Sequence, residues 1–314
     1  MACLESLPPE LLLHVLAYLP IRSLLAFSLT SRSSCAIAST SLHTLSLGIY
    51  PTRISSLIGQ LATASPTASP YSQLHPHTLL AFHTALTSSI LSRYCVSIRH
   101  LDLSIWSLTQ PVAAALARLK NLGCLSLRIE DPFGRGCLRR WAGAWDGTAR
   151  RGSDVSLSSE TGCGVEWNAM AGAWGRLEVL RLDGADISDW QLCRILDTNV
   201  QVKELWAKKC PKISKDLLNF LAYEWGGKGN LNVLGVAECD ASGEINGEAL
   251  GCIGELSQLK FLNLYGCKAV TSEMVERLNA ELWHIPTIEL PHRPDTEFGP
   301  GVIEVDPDYL TADE

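Results

Sequence analysis

Residues 202–221, VKELWAKKCPKISKDLLNFL, contain a strand pattern followed by a helix pattern. The first six residues fit L-x-x-L-x-L with smaller apolar residues at both ends, and alternate side chains of a strand face opposite sides of its sheet. Cys210 follows the start of this pattern by eight residues. Residues 213–221 then show helical apolar spacing, with Ser214 as a suitable N-cap. The stretch predicts a strand, a turn that holds a cysteine, and a helix.

The same unit recurs along the chain. Its strand pattern starts at Ile98, Leu122, Leu177, Val202, Leu231 and Leu259, with spacings of 24, 55, 25, 29 and 28 residues. Because 55 is about two periods, we expect a degenerate unit in this interval, around residues 153–157. Repeats of about 20 to 50 residues are typical of proteins whose units bury their apolar faces by stacking on neighbours.

Cysteine keeps its position in the last three units, eight residues after each start. The residues concerned are Cys210, Cys239 and Cys267. This regularity predicts small buried side chains between strand and helix, not reactive thiols. Helical segments follow the strands, and their predicted N-caps are Ser188, Ser214 and Thr271.

A second apolar region lies near the N-terminus, where residues 7–33 contain only three charged side chains. Pro9 suits the first turn of a helix and Pro20 ends it, so we predict helices over residues 9–19, 21–30 and 33–39. One broad face of the first helix holds Leu11, Leu12, Val15, Leu16 and Leu19. A unit of roughly 40 residues is too small to bury every apolar side chain. The apolar side chains that this unit cannot bury either pack on the rest of the chain or form a docking surface for another protein.

Residues 4–45 resemble an F-box. The elements that carry the resemblance are Leu7-Pro8, Glu10-Leu11-Leu12, Tyr18-Leu19-Pro20, Ser23-Leu24-Leu25 and Ser28-Leu29, in this order. The resemblance implies that the partner is the Skp-type adaptor of a cullin–RING ubiquitin ligase. The residues expected at that adaptor are Leu7, Pro8, Glu10, Leu11, Leu12, Leu13, Leu16, Leu19, Pro20, Leu24, Leu25 and Phe27.

The repeated units resemble the cysteine-containing leucine-rich repeats that often follow an F-box. This resemblance covers residues 98–290. It implies an α/β fold in which a three-helix F-box precedes a curved solenoid, with parallel strands on the concave face and helices on the convex face. The expected domains are the F-box at 1–47, a helical and loop linker at 48–97, repeats at 98–290 with an insertion at about 131–174, and an acidic tail at 291–314.

Side chains that alternate with the strand leucines point away from the repeat core. The set predicted for the concave face, and hence for a target protein, is Arg181, Asp183, Glu204, Trp206, Lys208, Lys209, Glu238, Phe261, Asn263 and Tyr265. Aromatic residues are enriched where proteins bind one another, which favours a binding face. The alternative is that a loop or the tail covers these side chains. The tail is acidic but contains apolar residues, so we expect residues 294–310 to lie along the concave face; the alternative is a disordered acidic tail.

Composition excludes several other classes of function. The formal net charge is −7, and residues 288–314 alone hold eight acids and one arginine, which gives no reason to expect nucleic-acid binding. Prolines and charges interrupt the apolar N-terminal region, so neither a signal peptide nor a membrane span is predicted. An odd number of cysteines without a CxxC pair indicates a reduced, intracellular protein, cytoplasmic or nuclear.

Motifs for catalysis or cofactor binding are not evident. The sequence GGKGN at residues 226–230 lacks the spacing of a phosphate-binding loop and predicts a turn. His75 and His77 lack further ligands at metal-binding spacing, and Cys163 has no sequence cue for an activating base. We expect no cofactor and no metal.

The leading hypothesis is a non-catalytic substrate receptor of an SCF-type (Skp adaptor–cullin–F-box) ubiquitin ligase. The F-box end would bind the adaptor, and through it cullin, while the repeats would bind an unknown target protein. A second hypothesis is a repeat scaffold whose divergent F-box acts outside a ligase. A third is an enzyme that uses one of the free cysteines.

Overall fold

The computed structural model describes residues 8–16, 18–19, 21–48, 76–130, 165–239 and 245–291. These residues form an eight-stranded, all-parallel sheet whose strand order equals the chain order. Its strands are β1 (Thr44–Gly48), β2 (His100–Ile105), β3 (Cys124–Ile129), β4 (Val179–Asp183), β5 (Glu204–Lys208), β6 (Val233–Ala237), β7 (Phe261–Asn263) and β8 (Thr287–Glu289).

Helices precede the sheet and connect its strands. They are α1 (Pro9–Leu16), α2 (Ile21–Ser28), α3 (Arg32–Ser41), α4 (Pro76–Arg93), α5 (Gln110–Ala117), α6 (Val165–Asn168), α7 (Asp189–Asp197), α8 (Lys215–Asn219), α9 (Gly247–Leu250) and α10 (Ser272–Leu278). Wider π-helical turns extend α8 over Phe220–Glu224 and α10 over Asn279–Trp283. Within the described ranges, no helix has the length and apolarity needed to cross a bilayer.

The six predicted strand patterns all form strands, β2 to β7. Two further strands, β1 and β8, were not predicted. The expected degenerate unit would place a strand between β3 and β4, and this is wrong because the two strands pair directly, with Cys124 opposite Val179. The residues expected to form it, 153–157, lie outside the described part of the chain, as do the tail residues 292–314.

Leucines in one register row form the centre of the structure. The row runs across the sheet through Leu45, Leu101, Leu125, Leu180, Leu205, Leu234 and Leu262, which pair strand to strand. Each is at most 4% exposed, and together they belong to one continuous apolar core. Each unit therefore buries its leucines against the units on either side, which explains why the spacing of the pattern could be recognised in sequence.

A left-handed residue follows each of four strands. Gly184, Lys209, Glu238 and Gly266 have φ between 53° and 76°. Each of their N–H groups donates to a carbonyl of the following unit, as Lys209 does to Ala237 at 2.9 Å. Such a conformation favours glycine, yet two of the four positions hold residues with a Cβ.

The cysteines after β5, β6 and β7 are fully buried, as predicted. Their thiols donate to carbonyl oxygens of the preceding strand. The pairs are Cys210 to Leu182 at 3.9 Å, Cys239 to Ala207 at 3.2 Å and Cys267 to Val236 at 3.1 Å. The acceptors share one register row, and the corresponding position after β4 holds the buried Ala185. The cysteines thus link each unit to the unit before it.

Two buried indoles link the connecting segments. Trp174 Nε1 donates to the carbonyl of Leu116 near the end of α5, and Trp225 Nε1 donates to that of Leu196 near the end of α7. Each carbonyl also accepts from a backbone N–H, that of Leu119 at 3.0 Å and that of Asn199 at 2.8 Å, so each indole adds a second donor at the end of a helix. Trp283 is also buried, but its Nε1 has no hydrogen-bond partner among the described residues.

The buried face of α1 is narrower than the sequence predicted. Leu12 and Leu16 of α1 are buried, whereas Leu11 and Val15 are exposed, so the buried stripe is narrower than the predicted face. Two buried leucines, four residues apart, are enough to hold α1 in place because α1 packs mainly against one helix, α3. At the end of α4, Arg93 donates to Ser28 Oγ at 3.1 Å and joins these helices to the rest of the chain.

Candidate functional site

An exposed apolar surface lies on α1 and the turn that follows it. Leu11 is 54% exposed, Val15 45%, Tyr18 77% and Leu19 37%. Apolar side chains are buried where the chain offers a core, and a contiguous group outside it marks a binding surface. We call these four residues the α1 surface.

The predicted adaptor residues are distributed between this surface and the core. Pro8, Glu10, Leu11 and Leu19 are exposed, and Leu13, Leu25 and Phe27 are half-buried. Leu12, Leu16 and Leu24 are each 2% exposed and pack inside, where they hold the helices together. Leu7 and Pro20 lie outside the described residues. Val15, Tyr18 and Leu29 are exposed but were not in the predicted set.

Helical spacing alone could not separate these groups. Leu11 and Leu12 are adjacent in a run of three leucines, so both fit a broad apolar face. Only the position of α3, whose Ala38 is fully buried, decides that Leu12 and Leu16 turn inward.

The helices α1 to α3 can be compared with known families. Residues 4–44 match the family model described as F-box-like. No curated protein matches the chain. The chain therefore carries an F-box-like domain, and the general partners of F-box domains are Skp-type adaptors. The α1 surface lies within this F-box-like domain.

The second candidate surface is the face of the sheet opposite the leucine row, here called the open face. The side chains that alternate with the leucines form three register rows along it. Of the residues predicted for the target, this face holds Arg181, Asp183, Glu204, Trp206, Lys208, Phe261 and Asn263. Lys209, Glu238 and Tyr265 instead follow the ends of their strands and are exposed at the margin of this face.

Trp206 is held from three sides at the centre of the open face. Its Nε1 donates to Glu204 Oε1 at 2.6 Å, and its ring lies 5.6 Å from that of Phe261 at a tilt of 41°. Gly235, opposite Trp206 on β6, leaves the space that the indole occupies. Since a side chain at this position would collide with the ring, the glycine determines where the indole lies. Trp206, Gly235 and Phe261 are called the aromatic platform below.

Ion pairs surround the aromatic platform. Arg181 donates to Glu204 at 2.6 Å from Nη2 and 2.8 Å from Nε, so Glu204 joins a cation and the indole. Arg128 lies 3.7 Å from Asp183. Lys208 and Lys209 have no carboxylate within ion-pair distance among the described residues.

Asn263 has a structural role. It is 7% exposed, donates to Glu289 on β8, and accepts from the backbone N–H of Tyr265 at 2.9 Å. Asn263 therefore fixes the end of β7, and its side chain is largely satisfied within the chain.

Further open-face residues were missed in the sequence analysis. His100, Asp102, Ser126, Arg128, Val179, Val233 and Glu289 occupy the same three rows. The alternation that identifies outward residues was present in the sequence, because LDLS (101–104) and LSLR (125–128) alternate as LRLD (180–183) does. For β1 and β8 the strand patterns themselves were not recognised, so their outward residues could not be assigned.

The described side chains give no support to a metal or thiol centre. No group of three His, Cys, Asp or Glu residues in the described ranges is placed to hold a metal ion. Burial raises the pKa of Cys193 to about 12, and the hydrogen bond with Cys239 together with burial raises the pKa of Cys210. Raised values oppose formation of the nucleophilic thiolate. Cys163 lies outside the described residues.

Proposed function

We propose that this protein is the substrate-recognition subunit of an SCF-type ubiquitin ligase. The observation that carries the proposal is the F-box-like domain at residues 4–44, whose Leu11, Val15, Tyr18 and Leu19 stay exposed. F-box proteins are generally non-catalytic adaptors for substrates. A Skp-type adaptor seated on the α1 surface would remove this apolar area from water, at roughly 25 cal/mol per Å². Cullin would then join through the adaptor.

The remainder of the chain is proposed to be a leucine-rich-repeat solenoid. Three features support this interpretation: strands paired in chain order, spacings of 24 to 29 residues for four of the five intervals between patterns, and cysteines that bond to the preceding unit. In such an array each unit contacts its neighbours and one face of the sheet stays available to a partner.

The open face is proposed to bind the target protein. The aromatic platform supplies a rigid apolar anchor, because Glu204 and Gly235 fix the indole before any partner arrives. Lys208 and Lys209 beside it favour a target segment with acidic groups. The chain would perform no chemistry and would raise the effective concentration of a target lysine near the ubiquitin-charged enzyme.

Adaptor binding is tested by charge substitution on the α1 surface. The variant L11D/V15D should lose co-purification with a Skp-type adaptor and with cullin, while its circular dichroism stays unchanged. Leu282→Asp is the matched control, since Leu282 is also 54% exposed but lies after α10. Adaptor binding that survives in L11D/V15D would remove the basis of the proposal. An adaptor complex without cullin would favour the scaffold function outside a ligase.

Target binding is tested on the open face. Affinity capture from cells should recover ubiquitin-modified proteins with the wild type, and Trp206→Ala should lose them. Trp190→Ala is the control, because Trp190 is exposed on α7, away from the open face, and its ring stacks with Arg194 at 4.8 Å. Equal capture by both variants would contradict a target site at the aromatic platform.

A further inference from the structure

The chain leaves the sheet at the margin of the open face. Pro291 is the last residue that the structure describes, and its carbonyl accepts from the N–H of Gly266 at 2.9 Å. The same kind of bond joins the ends of the preceding units, where Glu238 donates to Tyr265 and Lys209 donates to the end of β6. Pro291 therefore continues the row that Lys209 begins three strands away, at the carboxyl ends of the strands.

Residues 292–314 follow this exit point, and they are long enough to reach back over the open face. Neighbouring strands of a sheet lie about 4.8 Å apart, so β8 is roughly 14 Å from β5. If extended, residues 292–302 span up to about 35 Å. The residues that come after them can therefore lie over β5, β6 and β7.

Residues 303–309, IEVDPDY, alternate apolar and acidic side chains and are called the tail segment below. In an extended chain this alternation places the apolar side chains on one side and the three acids on the other. The open face offers a counterpart to each side. The aromatic platform is apolar, and beside it Lys208 and Lys209 have no carboxylate within ion-pair distance among the described residues.

The other long or acidic segments outside the described ranges complement this surface less well. Residues 131–164 contain five arginines and four acids, and residues 49–75 contain one arginine and no acid. Like charges repel, so neither segment complements a pair of lysines. Residues 240–244, DASGE, are acidic but contain no apolar side chain larger than that of alanine. Among these segments, the tail segment combines both kinds of side chain in alternation.

We propose that the tail segment binds the open face in the free chain, with its apolar side on the aromatic platform and its acidic side toward Lys208 and Lys209. Because the segment is tethered to β8, its effective concentration at this face is on the order of millimolar, and a weak contact is sufficient for it to bind. The contact does not depend on a ligase function. Its consequence rests on the proposed function, since a target protein that binds the open face must displace the tail segment.

Cross-linking of the full chain tests this contact. A water-soluble carbodiimide joins a carboxylate to an amine that it touches, so it should link the tail segment to Lys208 or Lys209. Lys215 is the control, because it is exposed on α8, away from the open face. Mass spectrometry of the digested protein identifies the linked residues.

Two valines of the tail provide a matched pair of variants. In an extended chain Val305 belongs to the apolar side of the tail segment, whereas Val302 lies on the acidic side. Val305→Ser should lower the yield of links to Lys208 and Lys209 about threefold, because it removes apolar area from the contact. Val302→Ser should leave the yield unchanged. Both variants keep every acid and lysine that can react.

Three results overturn the contact: no link between the tail segment and either lysine, equal linking to Lys215, or equal yields in the two serine variants. The consequence is measured with E304Q/D306N/D308N, which should increase capture of the ubiquitin-modified proteins, and unchanged capture would overturn competition with the target. Adaptor and cullin co-purification tests the α1 surface and does not involve the tail, so failure here is distinguishable from failure of the proposed function.

Discussion

The indole of Trp206 occupies the space that a Cβ on Gly235 would need, on the neighbouring strand of the sheet. The two residues are register partners, and the indole ring packs directly against the backbone of the glycine. The ring of Phe261, one strand further, contacts the indole from the side. A residue without a side chain thereby determines the position of the largest aromatic group on the open face.

Adding a side chain at Gly235 should displace the indole of Trp206. Gly235→Ala is expected to destabilise the protein by about 1 to 3 kcal/mol through overpacking, and to weaken target capture. Urea unfolding measures the stability, near-ultraviolet circular dichroism reports the displacement of the indole, and affinity capture measures target binding. Gly251→Ala serves as the control, since a Cβ there meets nothing within 4 Å and the backbone is helical. Equal stability of both variants would mean that the indole of Trp206 does not pack against Gly235.

The left-handed residues after the strands should differ in how much their substitution changes stability. Gly184→Ala would force a Cβ against the carbonyl oxygen of Ile129 at φ +70°, and a cost of about 1 to 3 kcal/mol is expected. Lys209→Gly removes strain at φ 53° and should change stability by less than about 1 kcal/mol. Thermal unfolding of both variants tests this contrast. A larger loss in Lys209→Gly than in Gly184→Ala would contradict it.

The buried cysteines should resist thiol reagents in the native state. Cys210, Cys239 and Cys267 are each 0% exposed, whereas Cys35 and Cys95 are half-buried and should react sooner. Mass spectrometry after timed labelling measures the order. Cys239→Leu should in addition cost about 1 to 3 kcal/mol, because the site between two strands is filled. Rapid labelling of all three would show that the units open under native conditions.

The two classes of buried indole permit a paired comparison. Trp225→Phe loses the indole's hydrogen bond to the carbonyl of Leu196, which keeps the bond from the Asn199 N–H at 2.8 Å, so a loss of up to about 1 kcal/mol beyond the packing loss is expected. Trp283→Phe removes an N–H that has no described acceptor and should lose packing only. Urea unfolding of both variants gives the difference. A greater loss at Trp283 would contradict the role of Trp225 at the end of α7.

Acid should destabilise the protein through His83. This residue of α4 is fully buried, stacks 5.1 Å from the Trp106 ring, and has a pKa lowered to about 4 by burial. The unfolded chain binds a proton near pH 6.5, so stability is complete above that pH and falls as pH drops toward 4. The loss should approach about 3 kcal/mol.

Unfolding measured between pH 7 and pH 4 tests this expectation. His83→Phe should flatten the dependence in that window, because the ring can still stack on Trp106 but cannot take a proton. His100→Gln, at an exposed histidine of β2, is the control and should leave the dependence in place. An identical pH dependence in His83→Phe would assign the acid sensitivity to other groups.

Repetition made much of the sheet predictable from sequence. The leucine pattern recurs in every strand from β2 to β7 because each leucine must meet its counterpart on the adjacent strand, as Leu205 meets Leu180 and Leu234. The cysteines were assigned to buried turns for the same reason. β1 and β8 are the first and last strands of the described sheet, and neither was recognised. Residues 42–47, LHTLSL, and 285–290, IPTIEL, nevertheless carry the same spacing of apolar residues as the six recognised patterns.

The candidate surfaces were less predictable, because exposure depends on what packs nearby. Periodicity placed Leu11 and Leu12 on one face, and only α3 separates them into an exposed and a buried residue. Trp206 could be assigned to the open face from alternation. Its support by Gly235 could not, since that contact joins residues 29 positions apart across two strands.

The order of the strands also bears on how the chain is synthesised. Each strand pairs with those that precede and follow it in sequence, so a nascent chain need not wait for a distant partner before it begins to fold. The F-box-like helices leave the ribosome before the strands of the sheet, and each later unit meets the edge left by the unit before it. Growth by addition to an existing edge keeps unpaired strands short-lived, which limits the time in which two nascent chains can join by mistake.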